Sequence, residues 1–173
     1  TPEWEKREKL ADCAWAVTCT DYGRAHLESL VPGKTMLSYH GLDLAALPRP
    51  SENRPARRGE SLDDQLRLVS VGRAVPKKGF DVLLQALAGL PAALHWHWTH
   101  VGGGSDLKHL REQARTLGIG EHITWMGARA QAEVFDAYRD ADLFVLPSKI
   151  AGDGDRDGLP NVLMEAASQG LCC

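Results

Sequence analysis

The sequence predicts an α/β fold: a Rossmann-like parallel sheet with helices on both faces, incomplete at its C-terminus. Three observations predict it. From Leu66 onward, apolar runs of strand length alternate with amphipathic helical stretches of about ten residues. The turns between them are rich in Gly, Pro and charge. The final Leu171-Cys172-Cys173 falls where the pattern turns from a helix into a further strand. Such alternation implies right-handed parallel crossovers, with ligands bound beyond the carboxyl ends of the strands.

Each element has its own signal. Glu3 to Ala14 reads as a charged amphipathic helix and Trp15 to Thr18 as a short strand. Thr20 and Asp21 offer an N-cap for a helix to Leu30, which Pro32-Gly33 ends before a strand at Thr35 to Ser38. Periodicity is then lost, and 43–65, rich in Pro and Arg, reads as a linker. The regular part comprises strands at Leu66 to Val71, His95 to Val101, His122 to Met126 and Asp142 to Leu146. Between and after them come helices at Gly79 to Leu90, Ser105 to Leu117, Gln131 to Arg139 and Pro160 to Gln169. Ala11-Asp12 and Ala141-Asp142 each lead a strand that ends in a hydroxyl residue, a faint internal echo.

The 173 residues are enough for one domain and part of another, and 43% hydrophobic with 25% charged residues is ordinary for a globular chain. A net charge of -3 with interspersed signs excludes a nucleic-acid binder that relies on a basic face. Any anion site is therefore local. Cys13, Cys19, Cys172 and Cys173 form no C-x-x-C pair, and no signal peptide or membrane-spanning run is present, so a cytoplasmic setting is expected. Peripheral association with the inner membrane face is left to residues outside this sequence.

Three loops carry the chemistry. Gly72-Arg73-Ala74-Val75-Pro76-Lys77-Lys78-Gly79 joins a strand to a helix and delivers three cations, a clamp suited to a polyphosphate. In Val101-Gly102-Gly103-Gly104-Ser105-Asp106 the glycines allow a ligand close to bare backbone at a helix start, yet no Gly-Lys-Ser/Thr follows and it is not a Walker loop. The third runs from Gly152 to Ala166. Placing Pro160 at the first helical position leaves the N–H groups of Asn161 and Val162 facing out of a helix start that favours phosphate.

Asp157 and Glu165 stand roughly 12 Å apart if the rise between them is helical, which suits two grips on one extended ligand rather than an acid/base pair on one bond. The spacing of Asp153, Asp155 and Asp157 suggests a calcium loop, but position 12 is Met164 instead of Glu. His95, His97 and His100 flank a core strand and lack the further ligands of a zinc site. No metal is expected.

The ordered set of Gly41-Leu42-Asp43, Val71-Gly72-Arg73, Lys78-Gly79, Val101-Gly102-Gly103-Gly104, Ala141-Asp142, Leu146-Pro147-Ser148 and Gly158-Leu159-Pro160-Asn161-Val162-Leu163-Met164-Glu165-Ala166 resembles family 4 of the GT-B glycosyltransferases. The likeness is to enzymes of the colanic acid and exopolysaccharide type, and it runs the length of the chain. It implies two Rossmann-like domains facing across a cleft, with 1–42 the tail of the acceptor-side domain and 66–173 most of the donor-side domain. The rest of the acceptor side and the strands after Gly170 are then expected outside this sequence, so that these residues hold a donor without completing transfer.

The resemblance further implies that Arg73 and Lys78 hold the donor diphosphate, Glu165 the ribose hydroxyls, and Asp157 the transferred sugar. Gly72, Gly102, Gly103, Gly158, Leu159, Asn161 and Val162 shape the donor site. Asp157 occupies the first acidic position of an E-x7-E motif where the family usually has Glu, one methylene longer. The implied reaction is retaining transfer from a UDP-sugar or GDP-sugar to a hydroxyl of a carbohydrate or lipid-linked acceptor, without a metal. The residues alone also admit a non-catalytic nucleotide-binding module or a GT-B-fold nucleotide-sugar epimerase. An NAD enzyme is disfavoured, because no G-x-G-x-x-G follows the first complete strand.

Overall fold

A computed structural model describes residues 3–152 and 154–173, which form two compact units meeting between Leu42 and Asp43. In the first unit, α1 (Glu3–Asp12) precedes a βαβ unit of β1 (Ala16–Thr18), α2 (Asp21–Leu30) and β2 (Thr35–Leu37), whose strands pair in parallel. Thr20 caps α2 as the sequence indicates, its hydroxyl accepting from the Gly23 N–H at 3.0 Å. The Glu28 carboxylate accepts from the Gly33 and Thr35 N–H groups at 2.8 and 2.9 Å, fixing the turn into β2. These two bonds hold its pKa below the usual carboxylate value.

The second unit carries β3 (Leu66–Val71), α3 (Phe80–Ala88), β4 (Trp96–Val101), α4 (Leu107–Thr116), β5 (Ile123–Gly127), α5 (Gln131–Asp140), β6 (Leu143–Phe144) and α6 (Asn161–Ser168). Its strands are parallel in the order β5-β4-β3-β6, and Cys172 bridges Leu143 on the outer side of β6. The doubly wound expectation is met. Strands step outward from β3 to β5, then cross to its other side at β6.

The two faces follow from the alternation of side chains along β3 and β4. On one face α3 and α4 cover Trp96, Trp98 and Ile123 with Phe80, Leu83, Leu84, Leu87, Leu110 and Ala114. On the other, α5 and α6 bring Phe135, Tyr138 and Ala166 against Val69, Val71, Val101 and Phe144. Ser70, fully buried in β3, donates to the Val145 carbonyl and accepts from Trp98 Nε1 at 2.9 Å, tying β4 to the segment after β6.

Residues 43–65 contain no helix or strand, yet they are fastened to the second unit. Arg54 donates to the carbonyls of Tyr138 and Gln169 at 3.2 and 3.1 Å, and Arg57 to the Asp140 carbonyl and Asp142 carboxylate, both at 3.0 Å. Arginine thereby satisfies carbonyls at the C-terminal ends of α5 and α6, where cations are favoured. The loss of periodicity marks irregular backbone, and its arginines explain why that backbone is held.

His100 is the exception in an apolar environment. It is fully buried against Phe80, Trp98 and Trp125, and among the described residues neither ring nitrogen has a hydrogen-bond partner. Burial, aided by the charge of Arg111 and only partly offset by the Gly72 backbone, pushes its pKa down from 6.5 to about 4. The unfolded chain takes up this proton first, so stability declines as pH falls from 6.5 to about 4. The full loss is about 3 kcal/mol. Urea unfolding across that range should show the slope in wild type and a flatter one in His100→Leu.

Candidate functional site

The crossover from β5 to β6 puts the switch point of the sheet between β3 and β6, where the chain leaves neighbouring strands toward opposite faces, the position at which open α/β sheets form a ligand crevice. Two segments meet there. The turn 72–79 leaves β3 through a short 3-10 helix, Pro76–Lys78, and 145–160 leaves β6 toward α6. Gly79 lets them touch: its φ is 67°, and a Cβ would fall 2.1 Å from the Pro147 carbonyl oxygen. Lys149 N–H donates to the Lys77 carbonyl at 2.8 Å beside it.

This contact brings Lys78 and Asp157 together. Lys78 Nζ lies 2.7 Å from Asp157 Oδ2, and the Ser148 hydroxyl donates to the same oxygen at 2.6 Å. Lys77 Nζ is 3.6 Å from Asp157 Oδ1 and 3.1 Å from Asp155. The Lys78 and Asp157 side chains are 12% and 13% exposed, so water screens the pair weakly. Burial works to raise the Asp157 pKa, but the hydrogen bonds from Lys78 and Ser148 and the lysine charges outweigh it and hold it below the usual value. Arg73, by contrast, is exposed, and its side chain makes no hydrogen bond or ion pair among the described residues.

Helix α6 begins one residue later than the sequence suggests. Pro160 has ψ 127° and is the N-cap, not the first helical residue, since extended ψ keeps it outside the helix. Asn161 and Val162 still lead the helix, and their N–H groups have no acceptor among the described residues. One turn on, half-buried Glu165 accepts from the Tyr138 hydroxyl, 3.3 Å from Oε2. Asp157 lies in non-helical backbone, so the helical spacing assumed between the two acids does not apply.

In the β4 turn, glycine is required first by the packing of backbone on backbone. A Cβ on Gly102 would fall 2.0 Å from the Gly72 carbonyl oxygen, and the Ala74 N–H donates to the Gly103 carbonyl at 2.8 Å. The bare backbone at Gly102 thus lets the β3 and β4 turns pack on each other. Gly103 does face open space, and Gly72 lies over the Lys78 stem. Gly158 is exposed and Leu159 half-buried on the approach to α6.

Asp153 lies outside the described residues, while Asp155 and Asp157 are engaged by lysine. His97 bonds Thr124 on one face of β4 and His100 is buried on the other, so the histidines do not converge. Among the described residues no group of three or more His, Cys, Asp or Glu side chains gathers for a metal, and no helix is long and apolar enough to cross a membrane. A groove of about 870 Å³ lies beside α5, but its charges are spent on one another, Arg67 with Asp140 and Arg129 with Glu133.

Residues 53–173 match the family described as Glycosyl transferases group 1. The chain belongs to that family. It is 28% identical over 172 residues to WcaL of Salmonella typhimurium, named for colanic acid biosynthesis, covering 99% of this chain and 41% of that glycosyltransferase. It is 33% identical over 153 residues to the GDP-mannose-dependent alpha-(1-6)-phosphatidylinositol monomannoside mannosyltransferase of Mycobacterium tuberculosis, covering 85% and 37%. The chain thus spans about two fifths of the length of these curated relatives. Among solved structures, Anabaena HepE in complex with UDP-glucose superposes with a TM-score of 0.77 at 19% identity, over 99% of this chain and 48% of that one. WaaG, a glycosyltransferase involved in lipopolysaccharide biosynthesis, gives 0.67 at 25% identity, over 90% and 42%. The fold is that of GT-B glycosyltransferases, as expected from the ordered motifs.

Arg73, Lys78, Asp157 and Glu165 are named from the sequence, but the contacts of Lys78 with Asp157 and of Glu165 with Tyr138 are not. Ser148 was visible only as part of a motif, and its signal is its place two residues beyond the apolar run that ends at Leu146. Tyr138 carries no local signal, because its partners lie 24 and 27 residues away. Gly79→Ala tests the contact that assembles the crevice. The strained φ and the clash with Pro147 should cost about 1–3 kcal/mol of stability in denaturant unfolding; an unchanged midpoint would contradict the described approach.

Proposed function

We propose that this chain is the nucleotide-sugar-binding part of a retaining glycosyltransferase, which moves a sugar from a UDP-sugar or GDP-sugar to an acceptor hydroxyl in exopolysaccharide or lipopolysaccharide synthesis. The observation that carries the reading is the contact between the turn that bears Arg73 and Lys78 and the segment that leads into α6, made through Gly79 against Pro147 and through Lys78 to Asp157, four residues before the free N–H groups of Asn161 and Val162. Arg73, Lys78 and these N–H groups are donors, and together they suit the two phosphates of a nucleoside diphosphate. The printed names of relatives and neighbours, GDP-mannose-dependent in one case and bound to UDP-glucose in another, agree with such a donor.

In this mechanism the bond between the anomeric carbon and the diphosphate breaks, and charge gathers on the departing phosphate oxygens. Arg73, Lys78 and the start of α6 stabilise that charge electrostatically, and the reading calls on no metal. Glu165 holds the ribose hydroxyls. Asp157 orients Lys78 through Oδ2, and its Oδ1, with Lys77 Nζ 3.6 Å away, turns to the transferred sugar, so one carboxylate serves both phosphate and sugar. The acceptor, a carbohydrate or a lipid-linked sugar, is met by the other half of the cleft, and a cytoplasmic site at the inner membrane face would give access to both substrates.

Arg73→Ala in the full-length protein should lower kcat/KM by about 10²–10³, the effect of losing one positioned charge-stabilising donor. The assay follows glycoside formation from UDP-sugars and GDP-sugars. An unchanged kcat/KM would remove Arg73 from the mechanism, and release of free epimerised sugar instead of glycoside would replace transfer with epimerisation.

A further inference from the structure

We propose that Tyr138, on the helix preceding β6, is the positioning residue that makes donor binding selective for a ribose over a deoxyribose. This rests on the reading above, in which Glu165 holds the ribose hydroxyls, and extends it to a residue outside every donor loop. Tyr138 is fully buried, its ring edge-on to Phe135 and Phe144 with centroids 5.7 and 5.9 Å away. The ring has no freedom to leave. Its hydroxyl lies 3.3 Å from both the Val162 carbonyl oxygen and Glu165 Oε2. A single proton is thus shared between the first turn of α6 and the carboxylate one turn later.

The geometry divides the work of the carboxylate. Tyr138 tethers Oε2, while Oε1 makes no hydrogen bond among the described residues and is left for a diol. An untethered glutamate samples several rotamers, and fixing it lowers the entropy lost when a ligand is gripped. The same hydroxyl touches Val162, whose N–H belongs to the phosphate-facing start of α6, so the ribose and diphosphate grips are set at a fixed offset. Burial first, then the charge and hydrogen bond of Glu165, push the Tyr138 pKa above its usual value, and the hydroxyl remains a donor at neutral pH.

The test compares calorimetric affinities of the full-length protein for UDP and 2′-deoxy-UDP, or for GDP and 2′-deoxy-GDP if guanine binds better, with inorganic pyrophosphate as a third probe. Wild type should prefer the ribonucleotide by about tenfold or more, the effect of one hydrogen bond to a charged group. Tyr138→Phe should reduce that ratio to about threefold or less, leaving pyrophosphate affinity unchanged, because pyrophosphate has no ribose. Glu165→Gln separates the two layers of the argument. If it leaves the ribose preference intact, the ribose role of Glu165 fails and the inference with it. If Glu165→Gln abolishes the preference while Tyr138→Phe keeps it, the inference alone is overturned. A parallel fall for all three probes in Tyr138→Phe would reduce Tyr138 to a packing residue and also overturn it.

Discussion

The structure depends on the reversal of strand order at β3. Because β6 returns to the far side of β3, the two strands send their chains to opposite faces, and their carboxyl ends part. The turn that bears Lys78 and the segment that bears Asp157 meet at that parting. Gly79 against Pro147 closes it from below, and Ser70 links it to the core through Trp98 and Val145. Without the reversal, the lysines of one turn and the helix start after β6 would have no common crevice.

Charge is distributed unevenly within this frame. Lys78 and Asp157 hold each other in a weakly screened setting, and Lys77 is similarly occupied by Asp155. Arg73 is exposed and among the described residues makes no ion pair. A diphosphate would therefore meet one mobile guanidinium, one ammonium fixed in place, and two backbone N–H groups whose direction is set by α6. The fixed members confer preorganisation, and the mobile one can follow the ligand.

The sheet was legible because its strands and helices differ in period and are separated by Gly and Pro; the predicted strand at Leu66 to Val71 is β3 residue for residue. β6 is shorter than the predicted strand from Asp142 to Leu146: Val145 N–H still donates to the Val69 carbonyl at 2.9 Å, but its own carbonyl accepts from the Ser70 hydroxyl, and Pro147 then turns against Gly79. Helix ends were blurred at Pro160, where φ suits both the N-cap and the first turn and only ψ decides. The candidate loops were legible as a set, since Gly, Lys and Arg concentrate in the turns after β3 and β4 and before α6. The pairings of Lys78 with Asp157 and Tyr138 with Glu165 were not, because they join residues 79 and 27 positions apart. In the Gly-rich turn after β4 the packing of Gly102 on Gly72 was not legible either, because loop against loop and loop against ligand both call for glycine.

The central claim is that a nucleoside diphosphate lies in the crevice between β3 and β6. A crystal structure of the full-length protein with UDP or GDP tests it most directly. The account predicts phosphate oxygens within hydrogen-bond distance of Lys78 Nζ and the Asn161 and Val162 N–H groups, with the ribose at Glu165. A nucleotide seated elsewhere, such as in the groove beside α5, with these donors untouched would contradict it.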